Sequence, residues 1–308
     1  MTMLSRVASN IYWMARYIER AENTARLINV NTHLLLDLPR RVRLGWEPII
    51  DILGGQELFS EHYQEADERS VVRFILANTA NPSSILSSLN SARENARTIR
   101  DIIPRESWEQ VNQLYLTAHA DVQTGLSQRG RYDYLHRVIL GAQTITGLLA
   151  GTMTHDEGYQ FLRIGRNLER ADMTTRIIDV RSASLLPELP EDMAPFESIQ
   201  WVGVLKSLTA YQMYRREMRV GVRRSDVLRF LLQEKRFPRA FYHTTGEVQH
   251  CLETLPRNEK PLKLLRRVQR KVVRVKPEVL EQQDLHLFVD ELQLGLAKLH
   301  DEIRSTYF

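Results

Sequence analysis

The chain has 308 residues, 43% of them hydrophobic and 26% charged, with a net charge of +4 and a single cysteine. That length buries a large core, and that composition excludes disordered and fibrous classes. No run of about 18 apolar residues exists to span a membrane and no secretory leader is visible before Arg16, so a cytoplasmic protein without an internal disulfide is expected.

In chain order, Leu4, Val7, Ile11, Met14, Ile18, Ala21, Ala25, Ile28 and Leu35 recur at steps of three and four, predicting an amphipathic helix over about 4–38 that Pro39 stops. Trp46, Pro48 and Gly54-Gly55 read as a turn, a short helix and a turn. A helix from Asp67 passes Val71 and Phe74 to the break at Asn81-Pro82, and Ser83 or Ser84 caps the next, which runs to Pro104. Helices are expected from Arg105 to about Val122, and from Arg131 to Met153, where Gly141, Gly147 and Gly151 offer a surface for close packing. Thr154 to Glu157 has the form of a capping box that opens a long helix over about 155–186. Pro187, Pro190 and Pro195 mark a short linker. Beyond it, helices are expected from Glu197 to about Val220, from a Ser225 cap, from Pro238 to Leu255, after Pro261, and from Pro277 to about Ser305. No strand pattern of useful length appears. The expected fold is all-α, a bundle of roughly ten helices in one domain over 1–308, with 1–153 and 154–308 as its internal halves.

Those halves rest on an echo. Residues 16–30 and 166–180, offset by 150 positions without a gap, agree at eight of fifteen places. This predicts that the helices over 4–38 and 155–186 pack as a pseudo-repeat. On a helical wheel with Ile18 at zero, Glu22 lies near about 40°, Arg26 near about 80° and Glu19 near about 100°, all bordering the apolar stripe. The echo puts Asp172, Arg176 and Glu169 in the same sector. Arg20 and Arg170 fall near about 200°, which reads as the side away from the stripe. Two acids and an arginine from each copy would then meet at one polar seam. Such a seam is either a set of ion pairs that fixes helix register or a site for a substrate, a peptide end or a partner side chain. A carboxylate-bridged metal pair would need Glu-x-x-His, and Glu22 and Asp172 stand where histidines belong, so no metal and no cofactor is expected.

The block Met3-Leu4-Ser5-Arg6-Val7-Ala8-Ser9-Asn10-Ile11-Tyr12-Trp13-Met14-Ala15-Arg16-Tyr17-Ile18-Glu19-Arg20-Ala21-Glu22-Asn23-Thr24-Ala25-Arg26 closely resembles the bacterial alpha-E family, all-helical proteins named for a Glu-Arg motif. Ala92-Arg93-Glu94-Asn95-Ala96-Arg97, Leu168-Glu169-Arg170-Ala171-Asp172 and Phe230-Leu231-Leu232 with Phe237-Pro238-Arg239 extend the resemblance over nearly the whole chain. It departs at Ala240, where the family pattern has serine. The resemblance implies Glu19, Arg20, Glu169 and Arg170 as motif positions. It also implies a circularly permuted ATP-grasp protein as partner, with a transglutaminase-like peptidase in the same peptide or amide ligase system. The expected role is a non-catalytic component that binds the ligase or its substrate. The alternative is an enzyme using Glu19, Glu22, Glu169 and Asp172 in acid–base chemistry.

Other signals are weaker. Arg93, Glu94 and Arg97 repeat the Glu-Arg theme at helical spacing, which a paired or solvated face explains. Residues 257–276 carry nine Lys or Arg against one acid, Glu259, a local +8 that leaves −4 for the rest of the chain. That segment lacks aromatics, so a solvated helix face or an acidic protein partner is expected rather than nucleic acid. Cys251 and His250 are adjacent, which points them about 100° apart on a helix and leaves the thiol unactivated. No phosphate-binding glycine loop is present.

Overall fold

The computed structural model describes residues 4–37, 45–183, 194–218 and 221–308, and among them every regular element is an α-helix. The first half comprises α1 (Ser5–Asp37), α2 (Glu47–Leu53), α3 (Gln56–His62), α4 (Glu68–Leu76), α5 (Ile85–Thr98), α6 (Arg105–Ala120), α7 (Val122–Leu126) and α8 (Gln128–Thr152). The second comprises α9 (Glu157–Ala183), α10 (Ala194–Ser207), α11 (Tyr211–Met218), α12 (Arg224–Gln233), α13 (Phe241–Glu253), α14 (Glu259–Arg274) and α15 (Gln282–Tyr307). Fifteen helices among the described residues, in place of about ten, include α3, α7 and α11, which at eight residues or fewer are too short to show a period, while the short helix expected after Trp46 is α2. Pro39, Leu186, Pro187, Pro190 and Val220 lie outside the described residues.

Local chemistry sets most boundaries. The Asp67 side chain accepts from the Ser70 amide and Ser84 from the Ser87 amide, as their positions predict. The start of α9 differs from the expected capping box. Asp156, which is closer to the first helical turn than Thr154, accepts from the Gly158 and Tyr159 amides at 2.9 and 3.2 Å. Ser225 likewise lies inside α12, whose N-cap position is Arg223. Pro195 falls in the first turn of α10, where its missing N–H has no intrahelical acceptor. The expected 197–220 helix breaks between α10 and α11 at Thr209, whose φ is 51°.

The two echoing helices form the centre of the molecule. α1 packs against α9, α5 and α8, and α9 packs against α1, α13, α15 and α2. No residue from Val7 to Thr32 is exposed, nor any from Glu157 to Val180. α1 therefore buries more than one stripe. Ile11, Met14, Ile18, Ala21 and Ala25 form the apolar stripe, while Tyr12 and Leu27, also fully buried, lie well around the wheel at about 120° and 180°.

Where α1 meets α9, Gly165 permits backbone contact: a Cβ there would sit 2.3 Å from the Tyr12 carbonyl oxygen. Of the three glycines expected to offer close packing, Gly141 does so, against Leu114, whereas Gly147 and Gly151 face open space. Gly165→Ala forces the two central helices apart and is expected to lower stability by about 3 kcal/mol, the upper range for overpacking. Gly147→Ala, with nothing within 4 Å, is expected to raise it by up to about 1 kcal/mol. Urea unfolding of the two variants checks both signs.

Candidate functional site

The Glu-Arg pairs of α1 and α9 bind each other across the helix interface. Glu169 accepts from Arg20 Nε at 2.5 Å and Nη2 at 3.0 Å, and from Arg16 Nε at 2.7 Å. Glu19 accepts from Arg170 Nε at 2.9 Å and Nη2 at 2.8 Å. Each motif thus lends its arginine to the other's carboxylate. This corrects the reading of Arg20 and Arg170 as pointing away from the interface. The wheel put their sector on the far side because it assumed one buried stripe, but no residue from Val7 to Thr32 or from Glu157 to Val180 is exposed, and that sector meets the other helix.

A loop completes the network. Arg239, between α12 and α13 and only 7% exposed, donates from Nη1 to Glu19 Oε1 at 2.9 Å and Asn23 Oδ1 at 2.7 Å, and from Nη2 to Glu22 Oε1 at 2.8 Å. The Thr174 hydroxyl holds the Arg239 carbonyl at 3.0 Å, tying that loop to α9. Sequence spacing could not place Arg239, which lies 220 residues from Glu19; its one signal was the Phe237-Pro238-Arg239 block. Glu22 also pairs with Arg26 at 2.8 Å. Three buried carboxylates thus meet five arginines, and a sixth, Arg166, lies half-buried nearby with its inaccessible Nε unbonded.

The electrostatics follow from that excess. Burial pushes the Glu169 carboxyl up, but Arg20 and Arg16 outweigh it and hold it at about 2. Burial acts in the same way on Glu19, and Arg170 and Arg239 carry it well below the ordinary carboxylate value. Burial, reinforced by Arg170, lowers Arg239 and Arg166.

The remaining expected residues divide. Asp172 and Arg176 form an i,i+4 pair at 2.8 Å, the counterpart of Glu22 and Arg26, but they are partly exposed and stand outside the buried network. Gly54, with φ 65°, turns the chain beside the Arg176 guanidinium. On α5, Glu94 pairs with Arg93 at 2.9 Å and Arg97 at 2.8 Å, and Arg93 Nε donates to Asn112 on α6. That third Glu-Arg segment does not join the seam. Cys251 is buried, its thiol pushed up to about 11 by burial, as an inert core cysteine would be.

Beside the network lies a cleft of about 470 Å³ between α9 and α15, lined by Arg16, Asp172, Arg176, Asp290 and His300 over an aliphatic floor including Leu168. Tyr12 Oη lies 2.7 Å from His300 Nδ1, and Arg16 Nη1 is 3.2 Å from Oη and 3.4 Å from Nδ1. The nearby guanidinium favours an unprotonated Nδ1 accepting from the hydroxyl, which places the imidazole proton on Nε2. Burial, then Arg16, lowers His300 to about 4, so the ring is neutral at pH 7. With cations and anions on its walls, the cleft suits a ligand bearing both a carboxylate and an ammonium. At its edge Asp179, His286 and Asp290 come together; His286 Nδ1 lies 2.7 Å from Asp179 Oδ1.

The family described as "Alpha-E: A predicted alpha-helical domain with a conserved ER motif" matches residues 3–308. An uncharacterized protein of Mycobacterium bovis is 23% identical over 322 aligned positions, covering 98% of this chain and 36% of that protein. Two uncharacterized proteins of Mycobacterium tuberculosis, from strains CDC 1551 and H37Rv, are 23% and 22% identical with the same coverage. The chain spans about a third of the length of these curated relatives. No solved structure matches it.

The low pKa of Glu169 sets an acid limit. Its contribution is fully present above the unfolded value near 4.5 and is lost as pH falls toward about 2. Glu169→Gln is expected to cost about 3–5 kcal/mol at pH 7, since it leaves Arg16 and Arg20 buried without their anion. The variant should also lose much of the stability change between pH 4.5 and 2. Urea unfolding across that range tests this; an unchanged pH slope would remove Glu169 as its source.

Proposed function

The chain belongs to the Alpha-E family, and from that membership we propose that it is a non-catalytic, cytoplasmic helical component of an ATP-grasp-linked peptide or amide ligase system. Its expected partner is a circularly permuted ATP-grasp protein, with a transglutaminase-like peptidase in the same system. In this reading the Glu-Arg exchange is a clamp, and the cleft beside it takes a peptide end or a partner side chain.

The observation that carries the reading is the state of the motif carboxylates. A general acid or base works best with a pKa near the working pH and within reach of the group it protonates. Glu19 and Glu169 are buried, held ionised by two arginines each, and do not line the cleft. The residues that do line it, Arg16, Asp172, Arg176 and His300, are suited to holding a charged ligand by both ends. The mycobacterial relatives add support, because there the matching segment is 36% of a longer protein and sits alongside other sequence. No helix among the described residues is long and apolar enough to cross a membrane.

The test is co-expression with the circularly permuted ATP-grasp protein. A stable complex is expected, with ATP-dependent amide formation from the pair and none from this chain alone. Arg176→Ala, on the cleft wall, should leave the complex intact and raise the KM for the peptide substrate about tenfold, the loss of roughly one charge-assisted contact. Turnover by the isolated chain would establish the enzymatic alternative instead.

A further inference from the structure

α14 is bound to the core by one face and carries an uncompensated charge on the other. Pro261, Leu262, Leu265, Val268 and Val272 are buried, and the helix packs on α13 and α15. Lys263, Arg266, Arg267, Arg270 and Arg274 are exposed. Together with α13 this face forms a groove of about 620 Å³, lined by Tyr242, Lys263, Arg266, Arg270, Val273 and Arg274, with Glu259 as its one acid. Lys235 adds a cation at the edge, 5.9 Å from the centre of the Tyr242 ring.

Pairing separates this face from the buried network. The arginines of the central network are all but one tied to carboxylates, and Lys271 on the flank of α14 reaches Glu291. In the groove only Arg266 finds an acid, Glu253 at 3.4 Å. Lys263, Arg270 and Arg274 have no ion-pair partner among the described residues, although like charges four apart weaken a helix. A polyanionic partner would remove that repulsion.

The pattern also selects the kind of polyanion. The cations follow one helix at steps of three and four residues, a row about 17 Å long with about 6 Å between charges four apart. A second helix with carboxylates three and four residues apart has the same spacing. Between the cations, Val273 is 59% exposed beside Tyr242, which offers an apolar contact that a phosphate backbone would not use. One aromatic ring is no stacking platform for single-stranded nucleic acid.

We propose that the groove between α13 and α14 docks an acidic amphipathic helix of a partner protein. Its carboxylates meet Lys263, Arg266, Arg270 and Arg274, and an apolar side chain between them rests on Val273 and Tyr242. This docking site is separate from the cleft between α9 and α15 and stands whether or not that cleft binds a peptide end.

The experiment uses the full chain and a labelled helical peptide of about 18 residues, with Glu at three- and four-residue steps and Leu between them. Two further probes are a scrambled peptide of equal composition and a duplex DNA of equal charge. Fluorescence anisotropy at near-physiological salt is expected to show the ordered peptide binding at least ~10-fold tighter than the scrambled one. Arg270→Glu with Arg274→Glu should remove that binding, and a peptide with Lys in place of Glu should then bind the double variant. Arg129→Glu, a charge reversal elsewhere on the surface, should change nothing. If the double variant unfolds, Val273→Asp supplies the loss-of-binding test. Equal binding of ordered and scrambled peptides, tighter binding of DNA that the same variants abolish, or no peptide binding would each overturn the proposal.

Discussion

The exchange of arginines between α1 and α9 is the constraint on which the rest of the arrangement depends. Removing a carboxylate and a guanidinium from water is costly, and the interaction recovers that cost only when geometry and hydrogen bonding are complete. Here they nearly are: Glu19 and Glu169 each accept from two arginines, in part through the forked contacts that a guanidinium makes and an ammonium cannot. Such an exchange also fixes register, because sliding one helix by a residue turns its carboxylate by about 100°. Gly165 makes the approach possible. It lies one turn before Glu169 on the same face of α9, so the backbone contact at Tyr12 leads directly into the ion pairs.

How much of this could be read from the chain depended on whether a feature was periodic. The long helices and the caps at Asp67 and Ser84 were legible because hydrophobic spacing and capping chemistry act locally. The echo between residues 16–30 and 166–180 pointed to Glu19 and Glu169, which bind each other's arginines, but also to Asp172, which stays outside the buried network. The wheel misplaced Arg20 and Arg170 because a helix with more than one buried stripe makes a second interface in the sector opposite the first. Arg239 and His300 had no periodic signal. One comes from a loop and the other is a lone histidine near the chain's end, and tertiary packing alone brings them to α1.

Arg16 joins the buried network to the open cleft. Its Nε holds Glu169, while Nη1 reaches the Tyr12 hydroxyl beside His300. The cleft wall is therefore positioned by the same ion pairs that lock the helices. In the proposed role the motif acts without reacting: its acids are held ionised, and their partners set the geometry of groups that face solvent. Asp172 and Arg176 fit the same division. They repeat the i,i+4 spacing of Glu22 and Arg26, but without a counterpart to Arg239 above them they remain accessible and line the cleft.

The chain thus uses its cations in two ways. Inside, arginines outnumber the carboxylates that hold them, and desolvation is offset by dense hydrogen bonding. Along α14 the cations are hydrated and largely unpaired. Because residues 257–276 contribute +8 and the remainder of the chain −4, the α14 face is not one region of a generally positive surface. On the proposed docking at α14, that local excess of cations would draw an acidic helix toward this face before contact. Exposed charge can therefore guide association while buried charge fixes the helices, because water screens the first and is excluded from the second.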